Sequence, residues 1–112
     1  MRIHVHFKDV TVPADILSSV RRRALFALGR YGQRIRAARI RLGNINGSEG
    51  SVEQCCTIQV DFAGGDPIVV HERRISLLAA VDAALERAER AVRRRIDVGR
   101  VGRKAAVSTL LG

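Results

Sequence analysis

Cysteine, lysine and long apolar runs are scarce or absent in this sequence. The 112-residue chain has two cysteines, which is typical of a protein from a reducing compartment rather than of a disulfide-stapled secreted domain. No apolar run approaches the roughly 18 residues needed to cross a bilayer. Neither residues 1–7 nor the last residues carry a signal or lipidation pattern. These absences predict a cytoplasmic protein that does not bind membranes.

Catalytic and metal-binding motifs are also absent. The chain has no P-loop, no G-x-G-x-x-G after a strand, no Ser-His-Asp or Cys-His signature and no paired acid/base carboxylates. His4 and His6 lack an accompanying C-x-x-C or H-E-x-x-H, so we interpret them as surface histidines. Asp82, at the edge of an apolar stripe, is interpreted as a buried hydrogen-bonding group. We therefore predict a protein that is not an enzyme, with no cofactor, metal or small-molecule substrate.

Arginine is what the chain has in excess. It has 20 Lys and Arg against 11 Asp and Glu, a formal charge of +9, and 18 of the 20 cations are arginine. Between Arg41 and Arg73 there are five acids and no cation, whereas residues 21–41 contain eight arginines and no acid. Residues 86–104 contain eight cations and three acids. This uneven distribution predicts one or two positively charged faces.

Hydrophobic spacing predicts four strands and two helices. Strand-like alternation covers residues 2–7, 39–42 and 55–62, residues 68–71 are predicted as the strand that returns after a hairpin turn, and apolar residues at helical spacing cover about 13–31 and 74–96. A polar loop is expected at 43–50 and a hairpin turn at 63–66. Cys55 and Cys56 would point to opposite sheet faces, so we expect reduced thiols with Cys56 in the core.

The β-α-β-β-β-α order predicts an α+β fold. Strands joined through a helix are expected to be parallel, and hairpin strands antiparallel. One apolar stripe per helix and one apolar face per strand predict a two-layer sandwich, a four-stranded mixed sheet with both helices on one face. We expect a single domain over residues 1–96, followed by a short, basic, partly disordered tail over 97–112.

Arginine ridges on both predicted helices are the candidate binding residues. Their spacing places them on the polar side of each helix, where a row of cations suits a row of phosphates. The alternative is a solvated surface, in which Glu86 and Glu89 pair with arginines four residues on. The predicted RNA-binding residues are Arg21, Arg22, Arg23, Arg30, Arg87, Arg90, Arg93 and Arg94.

Phe26 is the one aromatic residue predicted on the polar side of a helix. It falls among the arginines of the first helix, where its ring could stack on an unpaired base. It could equally be an edge-of-core residue or a partner contact, since single exposed apolar side chains are common.

The element order and several local strings resemble the ribosome hibernation-promoting factor family, also called protein Y or sigma-54 modulation proteins. The resemblance covers about residues 1–95. Residues 10–16 are similar to the segment that precedes the first helix in this family, and YGQRI at 31–35 is similar to the segment that follows that helix. LAAVD at 78–82 is similar to the family's Tyr-Ala-Ala-Ile-Asp string. Arg87, Arg90 and Arg94 fall where the family places basic residues. Leu78 stands where an aromatic residue is usual, and Ile96 where a cation is common.

This resemblance implies a non-catalytic bacterial protein that lies in the decoding channel of the small ribosomal subunit. Its basic helices would contact rRNA, exclude mRNA and tRNA, and keep idle ribosomes inactive. Longer members carry a second domain that pairs two ribosomes, and the residues after Ile96 are too few for it, so the resemblance implies a short form.

Two other functions are compatible with the sequence. The first is a protein-interaction module, whose arginine faces would meet an acidic partner or the chain's own acidic stretch at residues 49–72 and so favour head-to-tail self-association. The second is a diverged paralogue that binds another RNA.

Overall fold

A four-stranded sheet with two helices on one of its faces makes up the fold. The computed structural model describes residues 1–8, 12–46 and 52–111, with residues 46 and 100–111 described in secondary structure only. The elements are β1 (Arg2–Lys8), α1 (Ala14–Leu28), a 3₁₀ turn (Gly29–Tyr31), β2 (Ile35–Asn46), β3 (Val52–Phe62), β4 (Ile68–Arg74) and α2 (Leu77–Leu111). The sheet order is β1-β2-β3-β4, with β1 parallel to β2 and the other pairs antiparallel. The predicted α+β fold is confirmed.

The core lies between the helices and the sheet. Alternate residues of each strand point toward the helices, where they meet one stripe of each helix. The residues at its centre include Val20, Ala24 and Leu28 of α1, Val81, Ala84, Ala88 and Val92 of α2, and Ile40, Cys56, Ile58 and Val60 of the sheet. Each fully buried aliphatic side chain contributes roughly 1.5–3 kcal/mol to folding. Cys56 belongs to this core, as predicted, and both cysteines are free thiols.

Strands β2, β3 and β4 are longer than predicted, because pairing extends each of them. Residues 43–46, expected in a loop, continue β2 and pair with the first residues of β3, while residues 47–51 of that expected loop lie outside the described residues. β4 continues to Arg74, which pairs with Gln54. The second helix therefore begins at Leu77, where the Ser76 hydroxyl caps it by accepting a hydrogen bond from the Ala79 N–H at 3.4 Å.

Helix α2 ends at Leu111 rather than near Ile96. The prediction of an early end was wrong because it followed the apolar stripe, which stops where the helix leaves the sheet. Alanine, arginine, lysine and leucine in residues 97–111 have high intrinsic helix propensity, and Gly99 and Gly102 each lower the stability of the helix by only about 1 kcal/mol. The division into a domain at 1–96 and a partly disordered tail at 97–112 stays a prediction, since most of that segment has no described side chains.

Candidate nucleic-acid interface

The outward surface of α1 and of the 3₁₀ turn that follows it carries two predicted arginines, Arg22 in the helix and Arg30 in the turn, on either side of the predicted aromatic residue. Arg22, Phe26 and Arg30 are spaced four residues apart and so share one side of the helix, away from buried Leu28. Phe26 is 92% exposed. Arg22 and Arg30 have no carboxylate partner among the described residues, and the Arg30 guanidinium lies 5.5 Å from the centroid of the Tyr31 ring. An exposed ring therefore lies between two cations that no acid neutralises.

The other two predicted arginines of α1 connect the helix to its neighbours. Arg21 donates from Nη1 to the carbonyl oxygen of Ile3 in β1 at 3.2 Å. Arg23 forms an ion pair with Asp82 of α2, and its Nε donates to the Ser19 hydroxyl at 3.1 Å. Asp82 is exposed rather than buried as predicted, because it lies at the outer rim of the contact between the helices. These two arginines position α1.

Arg87 of α2 binds the free edge of the sheet. Its Nη1 donates to the carbonyl oxygen of His71 at 2.9 Å and to Oε1 of Glu72 at 3.1 Å. Arg74 donates to the second oxygen of Glu72 at 2.8 Å. The hydrogen bonds from Arg74 and Arg87 hold the pKa of the Glu72 carboxyl below its ordinary value. Arg87 therefore covers an edge-strand carbonyl that could otherwise pair with another chain.

The other predicted arginines of α2 differ in whether a carboxylate pairs with them. Arg90 pairs with Glu86 at 3.4 Å and Arg93 with Glu89 at 3.9 Å, as the four-residue spacing predicts. Arg94 is exposed, opposite the buried stripe of α2, and has no acid partner in the part of the chain that the structure describes.

A groove of about 680 Å³ runs between the two helices. Its α1 side contributes Arg22, Phe26 and Arg30, whereas its α2 side contributes a row of carboxylates, Asp82, Glu86 and Glu89. Glu89 also accepts a hydrogen bond from the Tyr31 hydroxyl at 2.6 Å, and this bond raises the pKa of that tyrosine. The two predicted arginine ridges are thus separated by a strip of acids, each of which has a cationic partner. Of the eight predicted arginines, Arg22, Arg30 and Arg94 are the ones that form neither an ion pair nor a hydrogen bond to a backbone carbonyl among the described residues.

A second group of cations, on the sheet face opposite the helices, was missed. Lys8 of β1, Arg39 and Arg41 of β2 and Arg73 of β4 are all exposed. The signal was present in the sequence, since Arg39 and Arg41 occupy the polar positions of a period-two pattern. The same alternation that predicts a strand also places both arginines on one face of the sheet.

Histidines and cysteines do not assemble a metal site in the described ranges. His4 and His6 are exposed on β1, as predicted, and no group of three or more His, Cys, Asp or Glu in this part of the chain could hold a metal ion. His71 Nδ1 instead lies 2.9 Å from the Thr57 hydroxyl. Burial raises the pKa of the Cys56 thiol to about 12. No helix among the described residues is long and apolar enough to cross a membrane.

Comparison with known proteins places this chain in a family. The profile of the Sigma 54 modulation protein / S30EA ribosomal protein family matches residues 3–98. The N-terminal domain of Protein Y from Thermus thermophilus is 26% identical with a TM-score of 0.68, and the match covers 84% of this chain and 98% of that chain. A ribosomal subunit interface protein from Coxiella burnetii is 16% identical with a TM-score of 0.68, over 87% of this chain and 99% of that one. No curated protein sequence matches. The chain therefore belongs to the Sigma 54 modulation protein / S30EA ribosomal protein family, as its motifs predicted.

Proposed function

We propose that this protein is a non-catalytic cytoplasmic factor that binds the small ribosomal subunit, occupies its decoding channel and silences translation. Family membership supports association with ribosomes, since the family is described as ribosomal and a similar solved structure is named a ribosomal subunit interface protein. The observation that carries the proposal is the outward helix surface, where Arg22, Arg30 and Arg94 remain without acid partners among the described residues.

The physical basis is phosphate binding by arginine. A planar guanidinium donates two parallel hydrogen bonds to one phosphate, and such contacts fix the position of a protein on RNA without reading its sequence. Silencing would be steric, because a folded domain that fills an RNA-lined channel excludes mRNA and tRNA from it. No chemical step is required of any residue.

The first experiment reverses the three free cations. R22E/R30E/R94E should fail to co-sediment with purified small subunits, whereas R22K/R30K/R94K, which keeps the charges but loses the bidentate hydrogen bonds, should bind with intermediate strength. Circular dichroism should show both variants folded, because none of the three side chains is buried or ion-paired among the described residues. Co-sedimentation of the Glu variant at the level of the unmodified protein would refute the assignment of this surface.

The second experiment tests the channel itself. Small subunits loaded beforehand with mRNA and tRNA should bind the protein more weakly than empty subunits, because the ligands would compete for one space. Equal binding to loaded and empty subunits would place the protein elsewhere on the subunit. Binding should also weaken steeply with salt, by roughly a thousandfold between about 50 and 200 mM if about six phosphates are contacted.

A further inference from the structure

The open face of the sheet, on the side away from the helices, presents alternate residues of all four strands in register. These residues are exposed or half-buried, whereas their neighbours along each strand belong to the core. Three successive rows cross the sheet, His4–Arg39–Gln59–Val69, His6–Arg41–Thr57–His71 and Lys8–Gly43–Cys55–Arg73. No element described in the structure covers these rows.

The face is strongly cationic. It carries Arg2, Lys8, Arg39, Arg41 and Arg73. Its carboxylates, among the residues that the structure describes, are Asp61 and Glu53. Asp61 accepts hydrogen bonds from Gln59 Nε2 and Arg39 Nε, both at 2.8 Å, so it neutralises Arg39. Lys8, Arg41 and Arg73 have no acid partner in the described ranges.

The spacing of these cations suits a row of phosphates. Alternate residues of a strand lie about 6.6 Å apart, and neighbouring strands about 4.8 Å apart. A shallow depression of about 650 Å³ on this face is lined by His4, His6, Lys8, Arg39, Arg41 and Thr57 together with apolar atoms of residues such as Ile45 and Cys55. A nucleotide strand lying in it would place successive phosphates within reach of different rows.

The chemistry of the face favours RNA over a protein partner. The centre of a protein interface is apolar, with aromatic residues enriched and charged residues depleted. Here the large apolar side chains are at the margins, with Val69 on an edge strand and 47% exposed, and Ile45 half-buried near the end of β2. The centre consists of arginine, histidine, threonine and glutamine, which donate hydrogen bonds to phosphate oxygens.

From these observations we infer that the open sheet face is a second RNA-binding surface, which takes the phosphate backbone of a single-stranded or looped rRNA segment. The inference rests on the proposed function and extends it. The helix surface and the sheet face point in opposite directions, so one domain would contact RNA on both sides.

Charge reversal on the sheet is the first test. K8E/R41E/R73E should bind small subunits more weakly, and the slope of log K against log salt should fall by about 2, which is three single-strand phosphate contacts at about 0.7 each. V69A is the matched control on the same face and should bind as the unmodified protein does. Normal binding and an unchanged slope for the triple variant would overturn the inference. So would a loss caused by V69A, which would indicate a protein partner.

The two cysteines provide a second test that does not alter the surface. Cys55 lies on the open face beside Gly43 and Arg73, whereas Cys56 is fully buried with a raised pKa. Iodoacetamide should therefore modify Cys55 and spare Cys56 in the folded protein. Small subunits should slow Cys55 modification in proportion to the fraction of protein bound. An unchanged rate in protein that does co-sediment would contradict the sheet surface.

The outcomes separate this inference from the proposed function. If the unmodified protein does not bind small subunits, both fail. If it binds, loses binding through R22E/R30E/R94E and yet leaves Cys55 fully reactive, the helix surface stands and only the sheet surface fails. Protection of Cys55 together with weak binding by K8E/R41E/R73E supports both.

Discussion

Arginines that look equivalent in the sequence have different tasks in the structure. Arg21 and Arg87 donate to backbone carbonyls of the two edge strands, and Arg23 pairs with Asp82. Arg22 and Arg94 lie one or a few residues away from these and have no such partner in the described residues. Replacing all eight predicted arginines together would therefore mix a loss of binding with a loss of stability.

Phe26 is the residue whose role a single substitution can decide. Because its ring is 92% exposed between Arg22 and Arg30, F26A should leave the unfolding temperature unchanged. If the ring stacks on a base, F26A should weaken subunit binding by about 1–3 kcal/mol, roughly 5- to 150-fold in Kd. The measurement is a binding titration with small subunits beside a thermal melt.

F26L and F26Y are the matched controls for that experiment. Leucine keeps an apolar side chain without a π-face, so it should bind as weakly as alanine, whereas tyrosine should restore binding. Equal binding by all four proteins would remove Phe26 from the interface. A lower unfolding temperature for F26A would instead indicate an edge-of-core role.

At the scale of elements, the contact between α2 and β4 depends on one carboxylate. Arg74 and Arg87 lower the pKa of Glu72, so the charged form of Glu72 is favoured in the folded state. Its contribution to stability is present above the unfolded pKa and is lost as the pH falls through the folded pKa, which lies below the ordinary value for a glutamate. E72Q should therefore lower the unfolding free energy at pH 7 and flatten its decline in acid.

The measurement is urea unfolding at a series of pH values between about 3 and 7. E86Q makes the same substitution at an exposed i,i+4 pair with Arg90, so we expect it to change the unfolding free energy by less than about 0.5 kcal/mol. An acid decline in E72Q as steep as in the unmodified protein would contradict this role for Glu72.

The elements were predictable from the sequence because their signals are local. A period-two pattern identified the first three strands, a hairpin turn identified the fourth, and a 3.6-residue period identified both helices. The partner of Arg87 was not predictable, because the His71 carbonyl becomes a neighbour only when α2 packs against β4. The ion pair between Arg23 and Asp82 was missed for the same reason, since the two residues are 59 positions apart in the chain.

At the scale of the whole molecule, the formal charge of +9 is divided between two opposite surfaces. The helices and the open sheet face each carry cations without acid partners in the described ranges, and the core lies between them. A domain charged on one side would suit a flat partner. A domain charged on both sides suits a cleft, because the helix surface and the sheet surface could then contact RNA on opposite walls of that cleft.

Self-association is the alternative that whole-molecule behaviour can test. It needs a free acidic surface, and the acidic stretch at residues 49–72 offers a small one. Asp61 is held by Arg39 and Glu72 by Arg74 and Arg87, so Glu53 and Asp66 are the acids of this stretch without an ion pair among the described residues, and Glu49 lies outside them. We therefore expect light scattering to give the mass of one chain, 12.3 kDa, at both about 50 and about 200 mM salt. Adding rRNA should then produce a larger species that salt dissociates. An oligomer that forms without RNA, dissolves with salt and ignores added RNA would instead favour the protein-interaction function, because its arginines would be meeting acids of another copy.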